Sequence, residues 1–143
     1  ELVGRFLSER APLPALALTT DTSVLTALGN DYGFERTFER KVDALVQKGD
    51  VVIGLSTSGN SDNVVKGLRA ARRRGARTVA MLGRKSGRVG RVVDLKIHVP
   101  SNSVPVVQEI HECLLHLICE SIDRRLTSRT APSRAQTRRK GRG

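Results

Sequence analysis

Apolar residues recur along this chain in two alternating rhythms. Short apolar or largely apolar runs at 15–18, 51–55 and 78–82, and the stretch at 92–99, read as strands, and stretches with a 3.6-residue period at 24–28, 35–47, 61–74 and 106–126 read as helices. The run Val51-Val52-Ile53-Gly54-Leu55 is continuous rather than alternating, which predicts a parallel strand buried on both faces. Phe38, Val42, Leu45 and Val46 define the inward face of the second helix; Val64, Val65, Leu68 and Ala71 define that of the third. Punctuation agrees with these bounds. Thr22 or Ser23 caps the first helix, Gly29-Asn30-Asp31-Tyr32-Gly33 interrupts it as an ordered loop, Ser61 caps the third and Gly75 stops it. Residues 2–9 read as the end of a helix broken at Pro12 and Pro14.

Strands alternating with helices at this spacing predict βαβ units: an α/β fold, a three-layer αβα sandwich on a mostly parallel sheet. Opening inside a helix, with no strand before it, the pattern suggests that a first βα unit lies upstream of Glu1. In such folds ligands bind outside the carboxyl ends of the strands.

Composition sharpens this picture in three places. Apolar residues make up 38% and aromatics 3%, with no Trp, so the core is aliphatic. No run of eighteen apolar residues occurs, which argues against a membrane span. The net charge of +11 would suggest a nucleic-acid partner, but six basic and no acidic residues lie between Thr127 and Gly143. That separates a domain at 1–126 from a basic tail at 127–143, expected to be disordered and to touch nucleic acid only nonspecifically. Cys113 and Cys119 lie six apart in one helical pattern and point to different sides, so they cannot pair there; a reducing cytoplasm follows as the expected setting.

Two segments carry candidate chemistry. Ser56-Thr57-Ser58-Gly59-Asn60-Ser61 joins a strand to a helix, so hydroxyls and backbone N–H groups gather at a positive helix end. That suits a phosphate monoester, and without the lysine and glycine spacing of a nucleotide P-loop a small phosphorylated metabolite fits better. The plain alternative is a capped loop rich in serine. In the last helix, Val107, Ile110, Leu114, Leu117 and Ile118 share an apolar arc, and Glu109, Glu112, His116 and Glu120 the opposite one. Carboxylates one turn before and after His116 suit a proton donor; the alternative is a solvated polar face. Gln108 lies about 80° around the helix from His116 and about 12 Å along it, so one ligand must bridge them or a second subunit must complete the site. His111 and His98 read as packing residues.

Together these residues resemble the sugar isomerase (SIS) domain, a flavodoxin-like fold, and within it the phosphoheptose isomerase family, over about 1–126. The resemblance rests on Glu1-Leu2-Val3-Gly4-Arg5, Leu16-Ala17-Leu18-Thr19, Gly29 to Phe34, Gly49-Asp50, Ser56 to Ser61, Val99-Pro100-Ser101 and Gln108-Glu109-Ile110-His111, in family order and spacing. It departs at Val106-Val107, where the family usually has Arg-Ile.

The resemblance implies aldose–ketose isomerisation of sedoheptulose 7-phosphate to D-glycero-D-manno-heptose 7-phosphate through an enediol(ate), serving heptose and cell-surface carbohydrate synthesis. It implies Glu1 as general base and His116 as acid, with Ser56, Thr57, Ser58 and Ser61 on the phosphate, and Asp31 and Gln108 on the substrate. Members are cytoplasmic homotetramers and some carry zinc, whose ligands match Glu1, Gln108 and His116; a further family histidine belongs four residues before Glu1. The alternative is a non-catalytic SIS-domain protein that binds a phosphosugar, of the replication-initiator-associating or regulatory kind.

Overall fold

Three parallel strands order the chain: β1 (Val51–Ser56), β2 (Arg77–Leu82) and β3 (Leu95–His98), side by side in that sequence. Val51 pairs with Arg77 and Ser56 with Leu82; Val79 pairs with Leu95 and Leu82 with His98. The computed structural model describes residues 1–130, with side chains through residue 128; 131–143, most of the expected basic tail, lie outside the described residues. The helices are α1 (Thr22–Tyr32), α2 (Thr37–Leu45), α3 (Asp62–Arg73) and α4 (Val104–Thr130). The last helix thus runs four residues past the expected boundary at 126. Two compact units result, a larger one at Leu16–Cys113 and a smaller one made of Glu1–Ala15 with Leu114 onward.

In the larger unit, Val65 and Leu68 of α3 pack with Ala80 and Leu82 of β2 and with Val89 and Val92, all buried. Val42 of α2, Val46, Ala70, Ala71 and Ala76 form a second cluster. Thr78, Ala80, Met81 and Leu82 are fully buried, so β2 is covered on both faces, as the middle of a layered α/β sandwich must be. The small residue at Gly54 admits α3 closely: a Cβ there would lie 2.8 Å from Leu68 Cδ1.

Several expectations are corrected. Val51 and Leu55 of β1 are 61% and 45% exposed rather than buried on both faces, because among the described residues β1 is an edge strand. Residues 15–18 form no strand: the Ala17 carbonyl accepts from the Thr20 N–H and the Leu18 carbonyl from the Lys41 ammonium at 2.9 Å, so neither joins a ladder. Asn30 and Asp31 lie in the last turn of α1, not in a loop, and the helix ends only at Gly33, whose φ is 81°. Asp21, not Thr22 or Ser23, caps α1 by accepting from the Val24 N–H. Leu45 is 52% exposed. The last strand covers four residues rather than eight; at its start Val92 is taken up in closing the 3-10 turn at 89–91, its N–H donating to the Val89 carbonyl.

Residues 2–9 are not helical either. In the smaller unit the Leu7 and Ser8 N–H groups donate to Asp123 Oδ2 at 3.1 and 3.2 Å, and Arg10 takes the carbonyls of Glu1, Leu2 and Gly4. A helical ladder needs those same groups, and the buried carboxylate and guanidinium outcompete it.

One junction predicts a pH response. Asp94 accepts from the Thr78 N–H at 2.8 Å and from the Thr78 hydroxyl at 2.9 Å, and these bonds hold its carboxyl below the ordinary value of 3.8. A depressed native pKa stabilises the fold above the unfolded value, and that contribution is lost as pH falls through the native one. Asp94→Asn therefore unfolds at lower urea than the parent at neutral pH, and the gap between them closes below about pH 4. Urea titrations across that range measure it, and a gap independent of pH would count against the junction.

Candidate active site

The turn between β1 and α3 is built by its own hydroxyls. Ser56 is buried; its Oγ accepts the Gly59 N–H at 3.1 Å and shares a 3.0 Å hydrogen bond with Ser61 Oγ. Ser61 stands at the N-cap of α3 without capping by its side chain, because its hydroxyl is engaged by Ser56. Ser58 Oγ accepts the Asn60 N–H at 3.2 Å and is exposed; Thr57 is half-buried. The turn thus assembles all four predicted hydroxyl residues at the carboxyl end of β1, beside first-turn N–H groups that have no carbonyl partner within the helix. Ser56 and Ser61 shape the cradle by bonding each other, and Ser58 presents the exposed hydroxyl.

A second loop supports it from behind. The Val89 N–H donates to the Gly59 carbonyl at 2.8 Å, the Arg88 N–H donates to Asn60 Oδ1 at 3.0 Å, and the Arg88 guanidinium pairs with Asp62. Gly59 has a φ of 68°, and a Cβ on it would lie 2.5 Å from the Ser86 carbonyl oxygen; one on Gly83 would overlap the Thr57 carbonyl oxygen. His98, expected as a packing residue, is instead exposed: its ring bonds the Gly83 carbonyl at 2.9 Å and Ser86 Oγ at 3.1 Å, tying down this loop. His111 does pack, 4% exposed with its Nε2 3.3 Å from the Leu82 carbonyl oxygen.

The other predicted substrate contacts of the larger unit are exposed. Asp31 lies at the end of α1, next to Tyr32, whose ring carries the Arg40 guanidinium 3.9 Å from its centre. Gln108 lies near the start of α4.

Glu1 and His116 belong to the smaller unit. His116 is exposed on α4, and the Phe6 ring stacks on it, centroids 5.7 Å apart and planes 18° from parallel. Of the two carboxylates expected to flank it, Glu120 is held by Arg124 at 2.6 Å. Glu1 is exposed, and its carbonyl accepts from Arg10 Nη2 at 3.0 Å. Arg10 Nε donates to Asp123 Oδ1 at 2.5 Å, and both side chains are almost fully buried. Arg10, beside the bonds from Ser8 and Leu7, holds the Asp123 carboxyl below the usual range. Sequence reasoning passed over Phe6, Arg10, Asp123 and Gly83; only the four-residue spacing of Asp123 from the apolar Cys119, on one helix face, could have signalled one of them.

The carboxylate of Glu1 and the imidazole of His116, both in the smaller unit, are groups of the kind zinc accepts. Among the described residues no three or more His, Cys, Asp or Glu side chains gather at one point.

A parallel sheet whose first carboxyl-end turn is a hydroxyl cradle at a helix N-terminus defines a phosphosugar-binding domain of the SIS class, and the SIS domain profile matches residues 1–83. The chain belongs to the phosphoheptose isomerase family. It is 55% identical over 126 residues to the phosphoheptose isomerase of Geobacter sulfurreducens, covering 88% of this chain and 67% of that protein. It is 54% identical over 130 residues to that of Aquifex aeolicus, covering 91% and 68%. Among solved structures, a phosphoheptose isomerase from Francisella tularensis superposes with a TM-score of 0.83 at 35% identity, over 87% of this chain and 66% of that one. Phosphoheptose isomerase GmhA from Neisseria gonorrhoeae gives 0.75 at 45% identity, over 77% and 62%. The chain spans about two thirds of the length of these relatives.

Proposed function

We propose that this protein converts sedoheptulose 7-phosphate to D-glycero-D-manno-heptose 7-phosphate, supplying heptose for cell-surface carbohydrate. The observation that carries this reading is the hydroxyl turn at Ser56–Ser61, in a chain over half identical to phosphoheptose isomerases. Thr57 and Ser58 grip the phosphate, within the cradle shaped by Ser56 and Ser61, and Asp31 and Gln108 hold hydroxyls of the sugar. Fixing the phosphate positions the far end of the sugar; it does no bond-making itself. The Glu1 carboxylate removes a proton from C1 and returns it to C2. His116 donates a proton to the C2 oxygen as the carbonyl opens, and takes the C1 hydroxyl proton as the aldehyde forms. The intermediate is an enediol or enediolate. Glu1, Gln108 and His116 would hold a zinc ion, which when bound supplies Lewis-acid polarisation of the carbonyl oxygen.

The working form is a homo-oligomer, a tetramer by family likeness. Supporting this, Val104, Val106, Ile110 and Leu117 of α4 are 49%, 45%, 41% and 51% exposed, a costly display of apolar surface for a lone chain. We place the reaction in the cytoplasm, where the free thiols of Cys113 and Cys119 stay reduced. No described helix is long and apolar enough to cross a membrane.

The test is turnover of sedoheptulose 7-phosphate followed by NMR, with Ser58→Ala as the paired variant. Ser58→Ala raises KM by about tenfold, equivalent to one lost charge-assisted hydrogen bond, and leaves kcat within about twofold. No turnover by the oligomeric parent would overturn the isomerase reading, and an unchanged KM would remove Ser58 from the phosphate grip.

A further inference from the structure

We infer that Arg10 is a positioning residue for the proton transfers, holding the segment that carries Glu1 against the α4 face that bears His116. The inference rests on the roles proposed above for Glu1 and His116. Asp123 follows His116 by seven residues, so it lies about 20° away around the helix and two turns along it. Three consecutive residues of the N-terminal segment run along that face: Phe6 stacks on the His116 ring, and the Leu7 and Ser8 N–H groups donate to Asp123. Arg10 then returns to the same carboxylate through Nε. Its remaining nitrogens reach back along the segment. Nη2 donates to the Glu1 carbonyl at 3.0 Å; Nη1 donates to the Leu2 carbonyl at 2.9 Å, the Ala11 carbonyl at 3.1 Å and the Gly4 carbonyl at 3.4 Å. The Leu13 N–H closes the loop on the Leu2 carbonyl at 2.9 Å.

This wiring differs from an ordinary buried ion pair. The segment at 1–11 has no helical or strand hydrogen bonds of its own, so the guanidinium fork is what fixes its path. One planar group joins the backbone of the proposed base to the helix of the proposed acid. Lysine can supply the charge to Asp123, but it cannot reach four carbonyls spread over two sides of a fork. A displacement of about an ångström at the base costs about a hundredfold in rate without touching phosphate binding.

The experiment uses the full-length oligomeric enzyme with Arg10→Ala, Arg10→Lys and Asp123→Asn, read by kcat, KM for sedoheptulose 7-phosphate, thermal midpoint, and hydrogen–deuterium exchange at Leu7 and Ser8. Arg10→Ala lowers kcat by about a hundredfold, keeps KM within about threefold, and exposes the Leu7 and Ser8 amides to exchange. Arg10→Lys folds as the parent does and still loses most of the rate; added guanidinium restores part of it to Arg10→Ala. Asp123→Asn shows the same split between kcat and KM. Parental kcat in Arg10→Ala or Arg10→Lys overturns the inference, as does a fall in kcat accompanied by an equal rise in KM and loss of the whole fold. Parental turnover in His116→Gln, by contrast, would remove the acid and base assignment on which the inference rests, a result separate from any behaviour of Arg10.

Discussion

Replacing His116 with glutamine lowers kcat by about a hundred- to ten-thousandfold, the range that a positioned proton donor contributes. Glutamine keeps a side chain of similar reach on α4 and can still donate a hydrogen bond, but it cannot give up and recover a proton near neutral pH. KM stays close to that of the parent, because the phosphate grip proposed for Ser56–Ser61 lies outside α4. The helix itself tolerates the change, since His116 is exposed and its described ring contact is Phe6. Steady-state kinetics on sedoheptulose 7-phosphate measure both constants. A kcat within a few-fold of the parent would exclude the imidazole as the acid and leave a phosphosugar-binding chain whose chemistry lies elsewhere.

The second large effect comes from a residue with no functional group. Gly83→Ala places a methyl group onto the carbonyl oxygen of Thr57, backbone against backbone, where no side chain can swing aside. The turn must move, and the hydroxyls of Ser56, Thr57, Ser58 and Ser61 move with it. Overpacking of this kind costs about 1–3 kcal/mol of stability. The clearer signature is a rise of more than tenfold in KM with kcat much less affected, the reverse of the His116 result. Urea unfolding and initial rates check the two parts. A Gly83→Ala enzyme with parental KM would mean that the loop at 83–89 does not brace the phosphate turn.

How much of this was legible in the sequence varies along the chain. The strand, turn and helix from Val51 to Arg73 were legible because every signal there is local: an unbroken apolar run, a serine at the N-cap, buried Val65, Leu68 and Ala71 at helical spacing, and Gly75 after the last turn. The gathering of hydroxyls at the carboxyl end of β1 was legible for the same reason. What no local signal disclosed was the division of labour within it, with Ser56 and Ser61 hydrogen-bonded to each other and Ser58 left outward.

Helical periodicity in α4 was equally plain, but which arc is covered was not. Val107, His111, Cys119 and Asp123 are buried, whereas Ile110 and Leu117, central to the apolar arc in the pattern, are about half exposed. Periodicity reports that a helix forms; the neighbours available decide which stripe is buried. The glycine at position 29 likewise argued for a loop, yet α1 runs through it to Tyr32, since one unfavourable residue costs less than the contacts of a continued helix contribute.

By itself, then, the sequence determined the alternation of strands and helices from Val51 onward and the turn that gathers the four hydroxyl residues, because each depends on residues within a few positions of one another. Only the tertiary structure decided the path of the N-terminal segment. Its amides and carbonyls are claimed by Asp123 and Arg10, and Asp123 lies 113 residues from its guanidinium partner. A hydrogen bond across that separation leaves no trace in local periodicity, and once buried it outweighs the weak helical preference of the eight residues it reorganises.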